Sequence, residues 1–171
     1  MDKLVESPVD NLGTSDQPLR AFETFQVGET HRSPIHVIEQ DAIDRFAELT
    51  GDHNPVHLDP EFARRTVFRG TVAHGLYLAS VLAGMAYAHG LMGRNILALE
   101  KSEETYLAGV RPGDEVYGIV EITGTDADAT RRCGRVRWEL KMIRFKRDGS
   151  EEVAVLARWD TLVFKERFLR A

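Results

Sequence analysis

The sequence predicts an α+β domain in which a long, curved antiparallel sheet wraps around one buried central helix. Three observations carry that expectation. From Gly70 to Gly93 the chain reads GTVAHGLYLASVLAGMAYAHGLMG, with no acidic or basic residue apart from two histidines. Within it, small residues (Ala79, Ala83, Gly84, Ala86) and large ones (Leu76, Leu78, Val81, Leu82, Met85) occupy most of the helical circumference, the pattern of a helix that is surrounded. From Ile96 onward, four long β-prone segments follow one another, divided by turn clusters. Small side chains on the helix let such a sheet approach closely.

The elements follow in chain order. Residues 1–20 have no basic start followed by an apolar run and no small-residue cleavage site, so they are expected to form a mobile tail and not a secretory signal. The remainder, 21–171, reads as one domain without internal repeat or linker. FETFQVGETHRSPIHVI mixes apolar and polar residues around Gly28 and Pro34 and predicts one or two strands. EQDAIDRFAELTG places Ala42, Ile43, Phe46, Ala47 and Leu49 on one helical stripe, with Gly51 as its stop. DPEFARRT predicts a further helical turn, capped by Asp59 and opened by Pro60. Then comes the uncharged helix. ILALEKSEETYLAGV, EVYGIVEITGTDA, RCGRVRWELKMIRFKRDGS and EEVAVLARWDTLVFKE predict long strands in antiparallel hairpins. The arrangement is a hot-dog fold. Such a sheet leaves an edge strand and an apolar flank open, so a homodimer, or a dimer of dimers, is expected.

Composition narrows the function classes. A chain of 171 residues is long enough to bury a real core, and 43% hydrophobic with 29% charged residues is ordinary for a soluble domain. A net charge of -5 argues against a broad nucleic-acid surface, which needs a basic excess. Cys133 stands alone, so neither an intramolecular disulfide nor a cysteine zinc site can form, and a reducing cytoplasm fits. The Gly70–Gly93 segment is long enough to span a bilayer, but its five glycines and two histidines favour a helix buried in protein over a membrane span.

The stretch LTGDHNPVH, residues 49–57, crowds an acid, an amide, a proline and two imidazoles into a short unhelical loop. A plain turn accounts for Asp52, Asn54 and Pro55, since Asp and Asn bond back to their own backbone and proline halts a helix. Taken with its flanks, however, TGDHNPVHLDPEFA followed by FRGTVAHGLYLAS resembles the signature of the MaoC-like, R-specific enoyl-CoA hydratases, a hot-dog family that handles acyl thioesters. The resemblance covers roughly residues 23–120, and the last two strands by pattern alone. It implies that Asp52 and His57 are the catalytic pair, that Gly75 lends its N–H to the thioester oxygen, and that Ser80 helps hold the site. Asn54 is expected to shape the loop, and His74 to support the site from the start of the helix.

The chemistry asks for these types independently. Hydrating a trans-2-enoyl thioester to the 3R-hydroxyacyl product the resemblance implies requires hydroxyl at C3, a proton at C2 and stabilisation of enolate-like charge on the thioester oxygen. A carboxylate accepts and a neutral imidazole both accepts and donates, so the two can orient one water and shuttle its protons; which of them takes the water's proton is open. An N–H in the first turn of a helix has no intrahelical partner and sits at the positive end of the dipole. No cofactor is called for. A metal site built from Asp52, His53, His57, Asp59 and His74 is disfavoured, because Asn54-Pro55 prevents a regular helix between the two nearest histidines and the Glu of an HExxH motif is missing. His31, His36 and His89 have no partners that single them out. Arg64, Arg65, Arg69 and Arg94 could meet a CoA phosphate, but a solvated face is the default reading of each and none is assigned that role. The expected partner is an acyl-CoA or acyl-carrier thioester. A hot-dog thioesterase and a non-catalytic acyl-binding subunit are the alternative readings.

Overall fold

The computed structural model describes residues 19–169. The expected tail falls almost wholly outside them. Of its residues, Leu19 and Arg20 are described, and the Arg20 guanidinium pairs with Glu29 at 2.6 Å.

Two short strands, β1 (Thr30–Arg32) and β2 (His36–Val37), follow a 3-10 turn at Phe22–Thr24. Helix α1 (Gln40–Thr50) ends where Gly51 adopts φ 77° and returns its N–H to Ala47 O at 2.8 Å. That left-handed residue needs glycine. Of the expected stripe, Ile43 and Ala47 are buried, whereas Leu49 points outward and is 84% exposed. The loop that follows is not unhelical. Residues Pro55–Leu58 form a short helix, α2, and Pro55 starts it instead of blocking one. The physical reason is positional: at the first helical residue proline loses no hydrogen bond and its φ is already helical. Helix α3 (Pro60–Arg64) begins as expected, with Asp59 Oδ1 accepting from the N–H groups of Glu61 and Phe62 at 2.8 and 3.1 Å.

The uncharged segment forms helix α4 (Gly75–Ala88). Strands β3 (Ile96–Tyr106), β4 (Glu115–Asp126), β5 (Cys133–Phe145) and β6 (Glu151–Phe164) complete an antiparallel sheet in the order β1-β4-β5-β6-β3, with β2 also on β4. The last three strands form the expected hairpins. β3 does not: it pairs with β6, from Ile96 against Val163 to Tyr106 against Val155. Its charged sequence suits an edge, and the chain from Leu107 to Asp114 crosses to the other side of the sheet instead of turning back.

The α4 face bearing Leu78, Leu82, Met85 and Ala86 is buried against the sheet, in one core with Trp138, Leu140 and Met142. The helix is not surrounded all round, because Leu76 and Tyr87 are exposed on its outer face. Nor does every small residue serve sheet approach. Gly84 has open space where a Cβ would stand. The close approach comes from the sheet, where a Cβ on Gly118 of β4 would lie 2.9 Å from Met85 Sδ and 3.4 Å from Leu82 Cδ2. We therefore expect Gly118→Val to push α4 outward and cost about 1–3 kcal/mol, the usual penalty of overpacking. At about 2–4 °C per kcal/mol for a domain of this size, thermal denaturation should register the loss; an unchanged melting temperature would show that the helix does not rest on this glycine.

Candidate active site

Three chain segments meet at the N-terminal end of α4. One is the α1–α2 connection with α2, another is the approach to α4 at residues 72–74, and the third is the crossing segment 107–110. Hydrogen bonds tie them together. Val72 N–H donates to Val56 O at 3.3 Å, and Ala73 N–H donates to Val110 O at 2.7 Å. His57 Nδ1 lies 2.7 Å from Val72 O, and His74 Nε2 lies 2.9 Å from Asp52 O. A carbonyl only accepts, so both imidazoles donate at those nitrogens. His57 is thereby held as the Nδ1–H tautomer, with its Nε2 lone pair free.

Asn54 accepts from Val56 N–H through Oδ1 at 3.2 Å and caps α2, while its own N–H reaches Asp52 Oδ1 at 3.3 Å. Its observed contacts are loop-shaping. Asp52 is exposed and His57 half-buried. His74 is buried, and its ring stacks on His57 with centroids 3.8 Å apart and planes tilted by 32°. Burial is the largest cause lowering the His57 pKa from 6.5, and His74 adds to it; the Val72 hydrogen bond and Asp52 oppose. His57 is therefore neutral near pH 7.

A cavity of about 460 Å³ opens here, lined by Asp52, His57, His74 and Gly75 and by apolar side chains including Val56, Phe68, Val72, Leu78, Tyr106 and Val110. Among the described residues, no lysine or arginine lines it. The guanidinium of Arg111 is bonded to Phe68 O, and that of Arg144 to Gly109 O, Asp114 and Glu152. Gly75 is the first residue of α4, and its N–H has no partner among the described residues.

Asp52, His57, His74 and Gly75 are thus brought together. Ser80 is not: it is exposed, it donates to Leu76 O at 2.9 Å, and it is absent from the cavity wall. One further expectation changes. His31 does have partners, with Nε2 2.6 Å from a Glu29 carboxylate oxygen and its ring 5.8 Å from that of His89. Arg64 is engaged with Glu61 at 2.7 Å, whereas Arg69 adopts φ 59° beside the cavity residue Phe68. Among the described residues, Asp52, His57 and His74 bring one potential ligand atom each within 4.8 Å of one another. Val72 O and Asp52 O each engage one nitrogen of these rings, which leaves His57 Nε2 and His74 Nδ1 as the remaining lone pairs.

The family model described as MaoC like domain matches residues 23–142. The chain belongs to the MaoC-like domain family. Among its relatives, the 3-hydroxybutyryl-CoA dehydratase of Methylorubrum extorquens is 37% identical over 101 residues, 59% of this chain and 62% of that protein. The (R)-specific enoyl-CoA hydratase of Aeromonas caviae is 41% identical over 83 residues, 48% of this chain and 60% of that one. The chain therefore spans about three fifths of the length of these two relatives. The solved (R)-hydratase of A. caviae superimposes with a TM-score of 0.67 at 26% identity, over 82% of this chain and 98% of that structure. A protein from Archaeoglobus, described as a monoamine oxidase regulatory protein, gives 0.77 at 26% identity over 85% and 95%. The antiparallel sheet packed on α4 is the hot-dog fold of this MaoC-like chain.

Reading residue types did not single out Val72, Phe68 or Tyr106. Val72 acts through its peptide group, which no side-chain pattern reveals, and Tyr106 ends a strand whose charged residues point to solvent. For the MaoC-like site we expect heteronuclear NMR of the histidine rings to show His57 protonated at Nδ1 and titrating below 6.5. A ring protonated at Nε2, or a midpoint above that value, would contradict the hydrogen bond to Val72 and the effect of burial.

Proposed function

We propose that this MaoC-like chain is a hydratase/dehydratase that adds water reversibly to a trans-2-enoyl thioester of CoA or an acyl carrier, giving the 3R-hydroxyacyl thioester. The observation that carries the reading is the convergence, on one cavity, of the Asp52 carboxylate, the His57 ring and the unpaired N–H of Gly75. The dehydratase and hydratase names of its relatives support it.

In this reading one water sits between Asp52 and His57. One of the two takes a proton from it, the oxygen bonds to C3, and the electron pair of the double bond moves toward the carbonyl. The thioester oxygen gains enolate-like charge, and the Gly75 N–H donates to it. The proton then passes to C2, so the elements of one water are added and the protein is unchanged. A proton and a hydroxyl that come from one held water arrive on one face of the alkene. The 3R outcome is carried over from the family resemblance.

The wall of the cavity bears on the acyl chain. With no cationic side chain on it, a second carboxylate would be buried unpaired, at a cost of several kcal/mol. We infer an uncharged acyl group. The outer face of α4 and β3 carries exposed Leu76, Tyr87, Leu97 and Leu99, and an apolar hollow of about 640 Å³ lies beside it, between α4 and residues of β3 and β6 such as Ile96 and Trp159. This supports a homodimer or dimer of dimers joined on that side. Among the described residues no helix is long and apolar enough to cross a membrane. The single, buried Cys133 accords with a place in the cytoplasm.

Asp52→Asn and His57→Gln preserve size and change proton-transfer capacity. Loss of absorbance of the conjugated enoyl-CoA reads the reaction directly. Each change should lower kcat by about 10²–10⁴-fold with little effect on KM, and the double variant should lose far less than the product of the two. A folded Asp52→Asn with near-normal hydration would remove the loop from the chemistry. Release of free thiol in place of hydration would favour the thioesterase.

A further inference from the structure

Tyr106 is the last residue of β3, where its main chain is fixed opposite Val155 of β6. Just beyond it, the N–H groups of Leu107 and Ala108 both point to Ala154 O, at 2.8 and 3.3 Å, so the chain leaves the sheet abruptly. The strand end places the tyrosine ring on the first residue of α4. A Cβ on Gly75 would lie 2.9 Å from Cε1, 2.9 Å from Cζ and 3.1 Å from Cε2 of Tyr106. Those are the ring atoms at the hydroxyl end. The phenol oxygen therefore stands beside the Gly75 backbone, on the wall of the same cavity. This gives Gly75 a reason to be glycine, since a Cβ there would press on the ring.

The hydroxyl has no hydrogen-bond partner among the described residues. Tyr106 is 45% exposed, and its unengaged O–H and the unengaged N–H of Gly75 at the helix start are two donors on the wall of one cavity. We propose that the Tyr106 hydroxyl is a second hydrogen-bond donor, beside the Gly75 N–H, to the thioester oxygen of the substrate. The proposal rests on the hydratase reading and deepens it. No proton is transferred: the O–H bond stays intact while the oxygen it faces gains and loses negative charge. Burial, with help from Glu104, holds the phenol pKa above 10, which keeps the donor protonated throughout the range of ordinary assays.

Tyr106→Phe removes the oxygen and leaves the ring packed on Gly75, so the variant should fold with an unchanged melting temperature. We expect its kcat for enoyl-CoA hydration to fall by about 10²-fold with KM almost unchanged, as loss of one oxyanion donor does. A second measurement needs no turnover. Acetoacetyl-CoA forms an enolate with its own ultraviolet absorbance, and a site with two donors favours that form on binding. Wild type should bind a larger enolate fraction at a given pH than Tyr106→Phe. If kcat and the bound enolate fraction of the variant both stay within about twofold of wild type, the hydroxyl is merely solvated and the proposal fails. A wild-type protein that hydrates no enoyl thioester would defeat the hydratase reading, and the absorbance comparison would still decide whether Tyr106 is a donor.

Discussion

The backbone of Val72, through the two peptide groups that flank it, is the junction on which the site depends. Its N–H donates to Val56 O and its carbonyl accepts from His57 Nδ1, so one residue fixes both the position of α2 and the tautomer of the imidazole on it. Without the second bond, the His57 ring would be free to turn and to exchange its donor and acceptor ends. The neighbouring residues extend the clamp. Ala73 is bonded to Val110, His74 reaches back to the Asp52 carbonyl, and the helix that carries Gly75 begins at once. A loop with little burial of its own is thus aligned on the start of α4, a helix whose Leu82 and Met85, further along, Gly118 admits closely to the sheet.

The electrostatic arrangement follows from the same placement. The His57 ring is half-buried, stacked on His74 and near Asp52, and the balance of these effects lowers its affinity for a proton. That suits a group that must begin neutral, accept a proton and return it within one turnover. Next to it the wall is apolar apart from the polar groups already described, and in the proposed reaction charge developing on a bound thioester would meet the Gly75 N–H and the proposed Tyr106 donor. In a surrounding of low polarity such donors count for more than they do in water.

Much of this was legible in the sequence, for physical reasons that differ from residue to residue. Gly51, Asp59 and Pro60 mark helix ends through local backbone chemistry, and local chemistry survives into the fold. The buried helix showed itself through the absence of charge over a long segment. Pro55 is ambiguous in sequence because the same ring that stops a helix also starts one; what decides is the position, and Asn54 supplies the cap that makes it a start. Leu49 matched the helical stripe but lies at the end of α1, where there is nothing to pack against. The pairing of β3 with β6 depends on which side of the helix the chain crosses, and no periodicity records that. Within the site, Asp52, His57 and Gly75 are named by the resemblance to the MaoC-like signature, and the structure brings them to one cavity. The Val72 carbonyl and the Tyr106 ring became visible only when distant segments were brought together, and Ser80 dropped away because its hydroxyl is taken by the helix backbone.

The central claim is that a single water, held by Asp52 and His57, supplies both the hydroxyl and the proton to one face of the alkene. Hydration of crotonyl-CoA in deuterium oxide tests it most directly, with the relative configuration of the deuterium at C2 and the hydroxyl at C3 read by proton NMR. One diastereomer, from addition of both groups to the same face, is the expected result. A mixture at C2, or addition to opposite faces, would mean that the proton and the hydroxyl come from different places, and would contradict the shared water.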